Sequence, residues 1–321
     1  MRLNYLNFLN YLFITVLPFS CIAQKQSLQQ GQWRFTLQLN DSIELPFNAE
    51  AKEKTIDIIN AGERISVDEI NYSGDSVFIR MPVFDSEFRG KFSENEITGN
   101  YLNHARRNKN VIPFRADYGL GFRFIDRPQK TDKDFSGRWE VEFAGDDPET
   151  KTSVGEFKQD GNHITGTFLT LTGDYRYLEG NVMGNAFSLS CFDGSHAFLF
   201  TANLQPDGTL LGDYYSGQHW HDTWKAKRNE KIKLANPDSL TFLKPGYDRI
   251  GFSFPDADST IISLSDKKFQ NKVIIIQIMG TWCPNCMDET AFLSPFYKKY
   301  KEKGVEIIGL DFERIDEFRI A

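Results

Sequence analysis

The sequence predicts a multidomain chain: a long, mainly antiparallel β region, a barrel or sandwich of two similar halves, followed by a short α/β segment. Three observations carry this. From Gln24 to about Arg228, apolar and polar residues alternate between Gly, Asn and Asp turns with almost no helical periodicity. Within that stretch the pattern repeats. Beyond it, the apolar run Val273 to Met279, a helix-like stretch from Met287 and a second apolar run, Val305 to Leu310, follow in strand–helix–strand order. A helix crossing between two strands makes them parallel.

At 321 residues and 40% hydrophobic content, the chain has room for two or three domains. Its net charge of −7 and scattered lysines and arginines lack the clustered basic surface that tracks phosphates, which argues against nucleic-acid binding. At the N-terminus, Arg2, the apolar stretch Tyr11 to Leu17 and Cys21-Ile22-Ala23 fit a secretory signal, residues 1–23, cleaved after Ala23. Its apolar core is shorter than the ~20 residues of a membrane span, and no later stretch reaches that length. Cys21 offers an alternative, a lipid anchor, although Pro18 stands where such signals usually carry leucine. Removal of the signal leaves Cys191, Cys283 and Cys286, too few for a disulfide-stapled scaffold.

The first β unit, residues 24–128, opens on Gly31-Gln32-Trp33-Arg34-Phe35; the second, residues 129–230, opens on Gly137-Arg138-Trp139-Glu140-Val141. Further along, Val77-Phe78-Ile79 with Phe84-Asp85 answers to Ala186-Phe187-Ser188 with Phe192-Asp193, and Ile97-Thr98-Gly99-Asn100-Tyr101 to Leu210-Leu211-Gly212-Asp213-Tyr214. Order and spacing are kept, which argues duplication of one unit and a shared barrel or sandwich. Turn signals at Gly161, Gly173, Gly184, Gly194 and Gly208 divide the second unit into hairpins. Cys191, in the alternating run Phe187 to Phe192, reads as a small buried side chain. His196 reads as facing water, and Ser195 beside it cannot form a hydrolytic pair, since strand neighbours point to opposite faces. His219 and His221 sit two apart, a spacing that lets both imidazoles project from one strand face toward a metal; no third ligand is identifiable, and solvent-facing histidines are the plainer reading.

Residues 231–247 are polar and carry Pro237 and Pro245, as a linker does. From residue 248, Phe252 to Phe254 and Ile261 to Leu264 read as short strands, and Val273 to Met279 as a buried central strand. Met287 to Tyr300 reads as a helix with a kink or second start at Ser294-Pro295, and Gly304 as its stop.

Between that strand and helix lies Trp282-Cys283-Pro284-Asn285-Cys286. The first cysteine sits where a helix leaves N–H groups unpaired and the peptide dipoles favour negative charge, which lowers a thiol's pKa. Thiolate is the attacking form, and a second thiol one turn on can resolve the mixed disulfide. The competing reading, half of a zinc site, needs two more ligands, and no second CxxC or HxxxH supplies them. No cofactor is called for.

A strand, Trp-Cys-x-x-Cys and a helix resemble the thioredoxin fold, and the stretch Met279 to Glu289 resembles the exported TlpA-type thiol-disulfide reductases. The resemblance implies that Cys283 attacks, Cys286 resolves, Trp282 shields the pair, and Glu289 exchanges protons with the thiols. It further implies protein disulfides as substrates, an upstream electron donor and a place in the periplasm or cell envelope. Gln277 departs from it, standing where thioredoxins carry a buried aspartate. The chain stops at Ala321, before the remaining elements of such a fold and the cis-proline that faces the CxxC pair. Residues 248–321 are therefore expected to be a partial thioredoxin-like domain of an incomplete gene product. The leading expectation is a disulfide reductase; a peroxiredoxin-like thiol peroxidase and an envelope ligand-binding β protein with an inactive redox segment are the alternatives.

Overall fold

The computed structural model describes residues 27–145, 152–236 and 239–313. The signal segment 1–23, Cys21, Pro237 and the stretch from 314 to Ala321 lie outside the described residues. Nine strands build the first sheet: β1 (Gly31–Gln38), β2 (Glu44–Ala51), β3 (Ile56–Asn60), β4 (Glu63–Val67), β5 (Ile70–Ser73), β6 (Ser76–Arg80), β7 (Ser86–Ser93), β8 (Glu96–Asn103) and β9 (Val111–Tyr118). Their order is β4-β3-β2-β1-β9-β8-β7-β6-β5, antiparallel throughout, so two meanders are joined by the pairing of the first strand with the last.

The second sheet comprises β10 (Gly137–Phe143), β11 (Thr152–Asp160), β12 (His163–Thr170), β13 (Gly173–Asp174), β14 (Leu178–Met183), β15 (Ala186–Phe192), β16 (Ala197–Leu204), β17 (Leu210–Ser216) and β18 (Trp220–Arg228). Its first and last long strands, β10 and β18, also pair, and an additional β11–β12 ladder closes it. The expected mainly antiparallel region of two similar halves is there, each half forming one barrel-like sheet with an aromatic core. Phe35, Phe47, Phe88 and Phe114 fill the first, and Phe168, Phe200, Phe187 and Trp224 the second. Alternation supplies large inward residues along each strand, and Phe192, Ala197 and Leu199 of the second sheet complete the first core from outside.

The two units open alike. Trp33 donates its indole N–H to Gln29 O at 2.9 Å, and Trp139 donates to Phe135 O at 3.0 Å, the same four-residue step back. Gly99 and Gly212 are also equivalent: a Cβ at either would lie 2.0 Å from Arg89 O or 1.9 Å from Thr201 O, so only glycine lets the neighbouring backbone approach.

Between the sheets runs a polar seam. Arg123, 4% exposed, donates to Ile59 O, to Ser190 O and to Glu179 Oε2 (2.6, 3.2 and 2.9 Å). Asn60 exchanges hydrogen bonds with the Phe192 backbone, and Phe47 stacks on Phe192 at 4.6 Å. Burial would raise the Glu179 pKa, but Arg123, His163 and the Ala61 N–H outweigh it and hold the carboxyl below its usual range.

After the second sheet come the short hairpin β19 (Ser253–Pro255) and β20 (Ile261–Ser263), then β21 (Val273–Met279), helix α1 (Pro284–Tyr300) and β22 (Val305–Asp311). β21 and β22 are parallel, with Gln277 opposite Gly309. The helix begins three residues before the expected Met287, because Pro284 with its fixed φ occupies the first helical position. Pro295 lies inside one continuous helix and does not start a second. A buried central strand was expected. Val273 and Ile278 of β21 are instead 66% and 77% exposed, since among the described residues only α1 and β22 flank it.

Candidate redox site

The site is built where β21 turns into α1. Gly280 takes the tight corner: a Cβ there would lie 2.4 Å from Trp282 Nε1 and 2.7 Å from Phe312 O. Space left by the missing side chain lets the Trp282 indole donate to Phe312 O at 2.9 Å, tying the loop to the end of β22. Thr281 N–H donates to Glu313 Oε1 at 2.7 Å, and Cys283 N–H to Gly280 O at 3.0 Å.

Cys283 is the N-cap of α1, in extended conformation, and its Sγ accepts from the Cys286 N–H at 3.4 Å. The Cys283 sulfur thereby takes the capping role usually held by a Ser or Asp oxygen. Cys283 and Cys286 form a disulfide, with Cα atoms 5.3 Å apart. Once reduced, the same N–H and the helix dipole are aimed at a Cys283 thiolate.

Behind the pair is a polar patch. Gln277, buried in β21, donates Nε2 to Cys286 O at 3.0 Å and to Glu289 Oε2 at 3.1 Å. Thr290 Oγ1 donates to Gln277 Oε1 and Cys286 O (3.1 and 2.8 Å). Cys283, Cys286, Trp282 and Glu289 are therefore brought together at one helix start, with Glu289 solvent-exposed and oriented from below by Gln277. Sequence reading treated Gln277 only as a departure from thioredoxins and passed over Thr290. The available signal was a lone polar residue inside an apolar strand, opposite a helix that returns Thr290 one turn after Cys286.

The other polar candidates sit elsewhere. His219 lies in the turn before β18, not on the strand, and burial together with Arg106 and Lys109 lowers its pKa to about 4. His221 stacks on Tyr215 at 4.4 Å and meets Asp213 at 2.8 Å. Those cationic neighbours repel a metal, and no cluster of three His, Cys, Asp or Glu able to hold one occurs among the described residues. His196, expected to face water, is instead tucked against the buried Asp193, its Nδ1 2.7 Å from Oδ2, because the tight turn folds the ring back onto the carboxylate. Cys191 is fully buried, as expected. No helix among the described residues is long and apolar enough to cross a membrane.

Comparison with known proteins falls on the same segment. A family model described as Redoxin matches residues 248–313. The thiol-disulfide oxidoreductase ResA of Bacillus anthracis is 39% identical over 71 residues, 22% of this chain and 40% of that protein. ResA of Bacillus subtilis (strain 168) is 33% identical over 79 residues, 25% of this chain and 41% of that protein. The chain thus spans about two fifths of the length of these relatives. Among solved structures, a Transferrin Binding Protein B mutant from Haemophilus parasuis Hp5 aligns with 61% of this chain and 44% of its own at 12% identity and a TM-score of 0.22. A putative outer membrane protein from Bacteroides fragilis NCTC 9343 aligns with 62% of this chain and 96% of its own at 10% identity and a TM-score of 0.19. Similarity that low bears on neither fold nor function. The C-terminal segment, residues 248–313, with its cysteine pair at the helix start, thus resembles a Redoxin domain of thioredoxin-like fold, and it follows two antiparallel β sheets.

Proposed function

We propose that this chain is an exported, TlpA-type thiol-disulfide oxidoreductase that reduces protein disulfides by dithiol exchange at Cys283 and Cys286. The observation that carries the reading is the placement of Cys283 at the helix N-cap, with its sulfur on the Cys286 N–H and within disulfide reach of Cys286. The Cys283 thiolate attacks one sulfur of a substrate disulfide and expels the other as thiolate, leaving a mixed disulfide. Cys286, deprotonated, then attacks Cys283 Sγ, releasing the second substrate thiolate and forming the Cys283–Cys286 disulfide. Two electrons pass to the substrate, which takes up two protons. An upstream dithiol donor resets the pair by the same exchange in reverse.

Glu289 is the proton-exchanging group for these thiols, one turn from Cys286 and held by Gln277. Trp282, fixed on Phe312 O, walls one side of the pair. The remaining organisation belongs to the same proposal: a signal peptide over residues 1–23, two duplicated β units over 24–128 and 129–230, a linker over 231–247, and the redox domain from 248. The matching Trp33 and Trp139 anchors and the Gly99 and Gly212 approaches support the duplication. Cys283→Ser is expected to abolish turnover in a protein-disulfide reduction assay; undiminished turnover overturns the assignment.

A further inference from the structure

Arg176 joins the CxxC helix to the β region. It lies just after β13; Nη1 pairs with Asp288 in the second turn of α1, Nη2 meets Glu63 Oε1 at 2.7 Å, and Nε lies 3.1 Å from Asp193 Oδ2. Three carboxylates from β4, the turn after β15 and the redox helix share one guanidinium. Asp193 is fully buried as a side chain and Arg176 is 16% exposed, and two of the arginine's three carboxylate partners belong to the β region. Burial alone would lower the Arg176 pKa, but Asp193, Asp288 and Glu63 outweigh it and raise it.

Two further observations point the same way. Arg176 has φ 58°, a left-handed conformation that non-glycine residues adopt at a penalty, and its N–H donates to Asp174 Oδ1 at 2.8 Å to hold it. The same loop comes close to the motif itself: a Cβ on Gly173 would lie 4.0 Å from Asn285 Nδ2, inside the Cys-Pro-Asn-Cys turn.

We propose that the segment over residues 172–176 is the seat on which the CxxC helix docks, with Arg176 a positioning residue that also neutralises Asp288 in the N-terminal half of the helix that carries the reactive thiol. The claim rests on Cys283 being the attacking thiol. A bare carboxylate at Asp288, five residues past the N-cap, opposes a thiolate at the same helix end; Arg176 cancels that charge. Only arginine presents donors in a fork wide enough for three carboxylates, so lysine is not a substitute. A single, partly exposed pair of this kind shifts an equilibrium by about two- to fivefold. Docking is therefore shallow and reversible, held as much by the tether through the linker as by the pair itself, and a client protein can displace it.

The test uses the full chain with the cysteine pair reduced. Arg176→Gln should slow alkylation of Cys283 by iodoacetamide about two- to fivefold at pH values below the thiol's titration, moving the rate profile to higher pH. Adding Asp288→Asn should restore the wild-type profile, which a merely structural arginine would not do. Asp288→Asn alone, on the half-exposed helix surface, leaves the β core untouched and should enlarge the radius of gyration in small-angle scattering. A wild-type alkylation profile for Arg176→Gln, or an unchanged radius of gyration for Asp288→Asn, overturns the proposal. Neither readout uses a disulfide substrate, so a failed Cys283→Ser experiment is distinguishable from a failure here.

Discussion

Arg123→Met removes the guanidinium that clamps the two β sheets together. Arg123 is 4% exposed and donates to the Ile59 carbonyl, the Ser190 carbonyl and hydroxyl, and Glu179. Breaking a buried ion pair from one side costs ~3–5 kcal/mol, because the partner charge stays buried. Here Glu179 is 20% exposed and keeps the Ala61 N–H at 2.8 Å and His163 at 3.0 Å, so the lower end, about 3 kcal/mol, applies. For a unit of this size each kcal/mol lowers the midpoint by ~2–4 °C, giving a fall of roughly 6–12 °C. Circular dichroism melting of the β signal measures it, and Arg123→Met with Glu179→Gln should recover part of the loss by removing the stranded charge. A midpoint within about 2 °C of the wild type, less than 1 kcal/mol on the same scale, would refute the clamp as the element that makes the sheets cooperative.

Three further outcomes follow from the geometry. Gln277→Leu should change stability by no more than about 1 kcal/mol, since Thr290 still satisfies Cys286 O, while releasing Glu289 and lowering disulfide-reduction kcat/KM roughly tenfold; an unaltered pH–rate profile refutes the coupling. Burial would raise the Asp193 pKa, but His196, Arg176 and the Ser195 N–H outweigh it, so its folded value lies below the unfolded one. Its stabilisation is complete above about pH 4 and lost as pH falls through the depressed value, and Asp193→Asn should flatten that acid limb in urea titrations. Burial pushes the Cys191 thiol well above its ordinary pKa, so peptide mapping after native labelling with a thiol reagent should find it unmodified until denaturant is added; labelling at the rate of an exposed thiol would show that it is not enclosed.

Local signals carried much of this architecture into the sequence. The β-branched run at Val273 to Met279 and the thiols three apart at a helix start are short-range patterns, and both stand where expected. The hairpin turns at Gly161, Gly184, Gly194 and Gly208 were legible for the same reason. What stayed hidden is long-range. Arg176 and Asp288 are 112 residues apart, and Arg123 meets Ser190 across 67, distances over which residue type says nothing of partnership. His196 was misread because a polar side chain after a turn usually faces water, and only the fold reveals the buried Asp193 that draws it in. The two halves were legible from the repeat, but how their strands are ordered was not, since alternation gives each strand an inside face without saying which strands share it.

In each sheet the first strand of the unit pairs with the last. Trp33 to Leu37 pairs with Phe114 to Tyr118, and Trp139 to Phe143 with Trp224 to Arg228. Neither unit can complete its hydrogen-bond ladder until its last strand has been synthesised, and the loop closed at that moment is most of the unit. Contacts so distant in sequence make for slow folding, and the intervening meanders must wait with open edges. The first unit, however, finishes its own circuit before the second begins. A nascent chain therefore has two closure events in series rather than one, with the Arg123 seam as the final step that locks the finished units together.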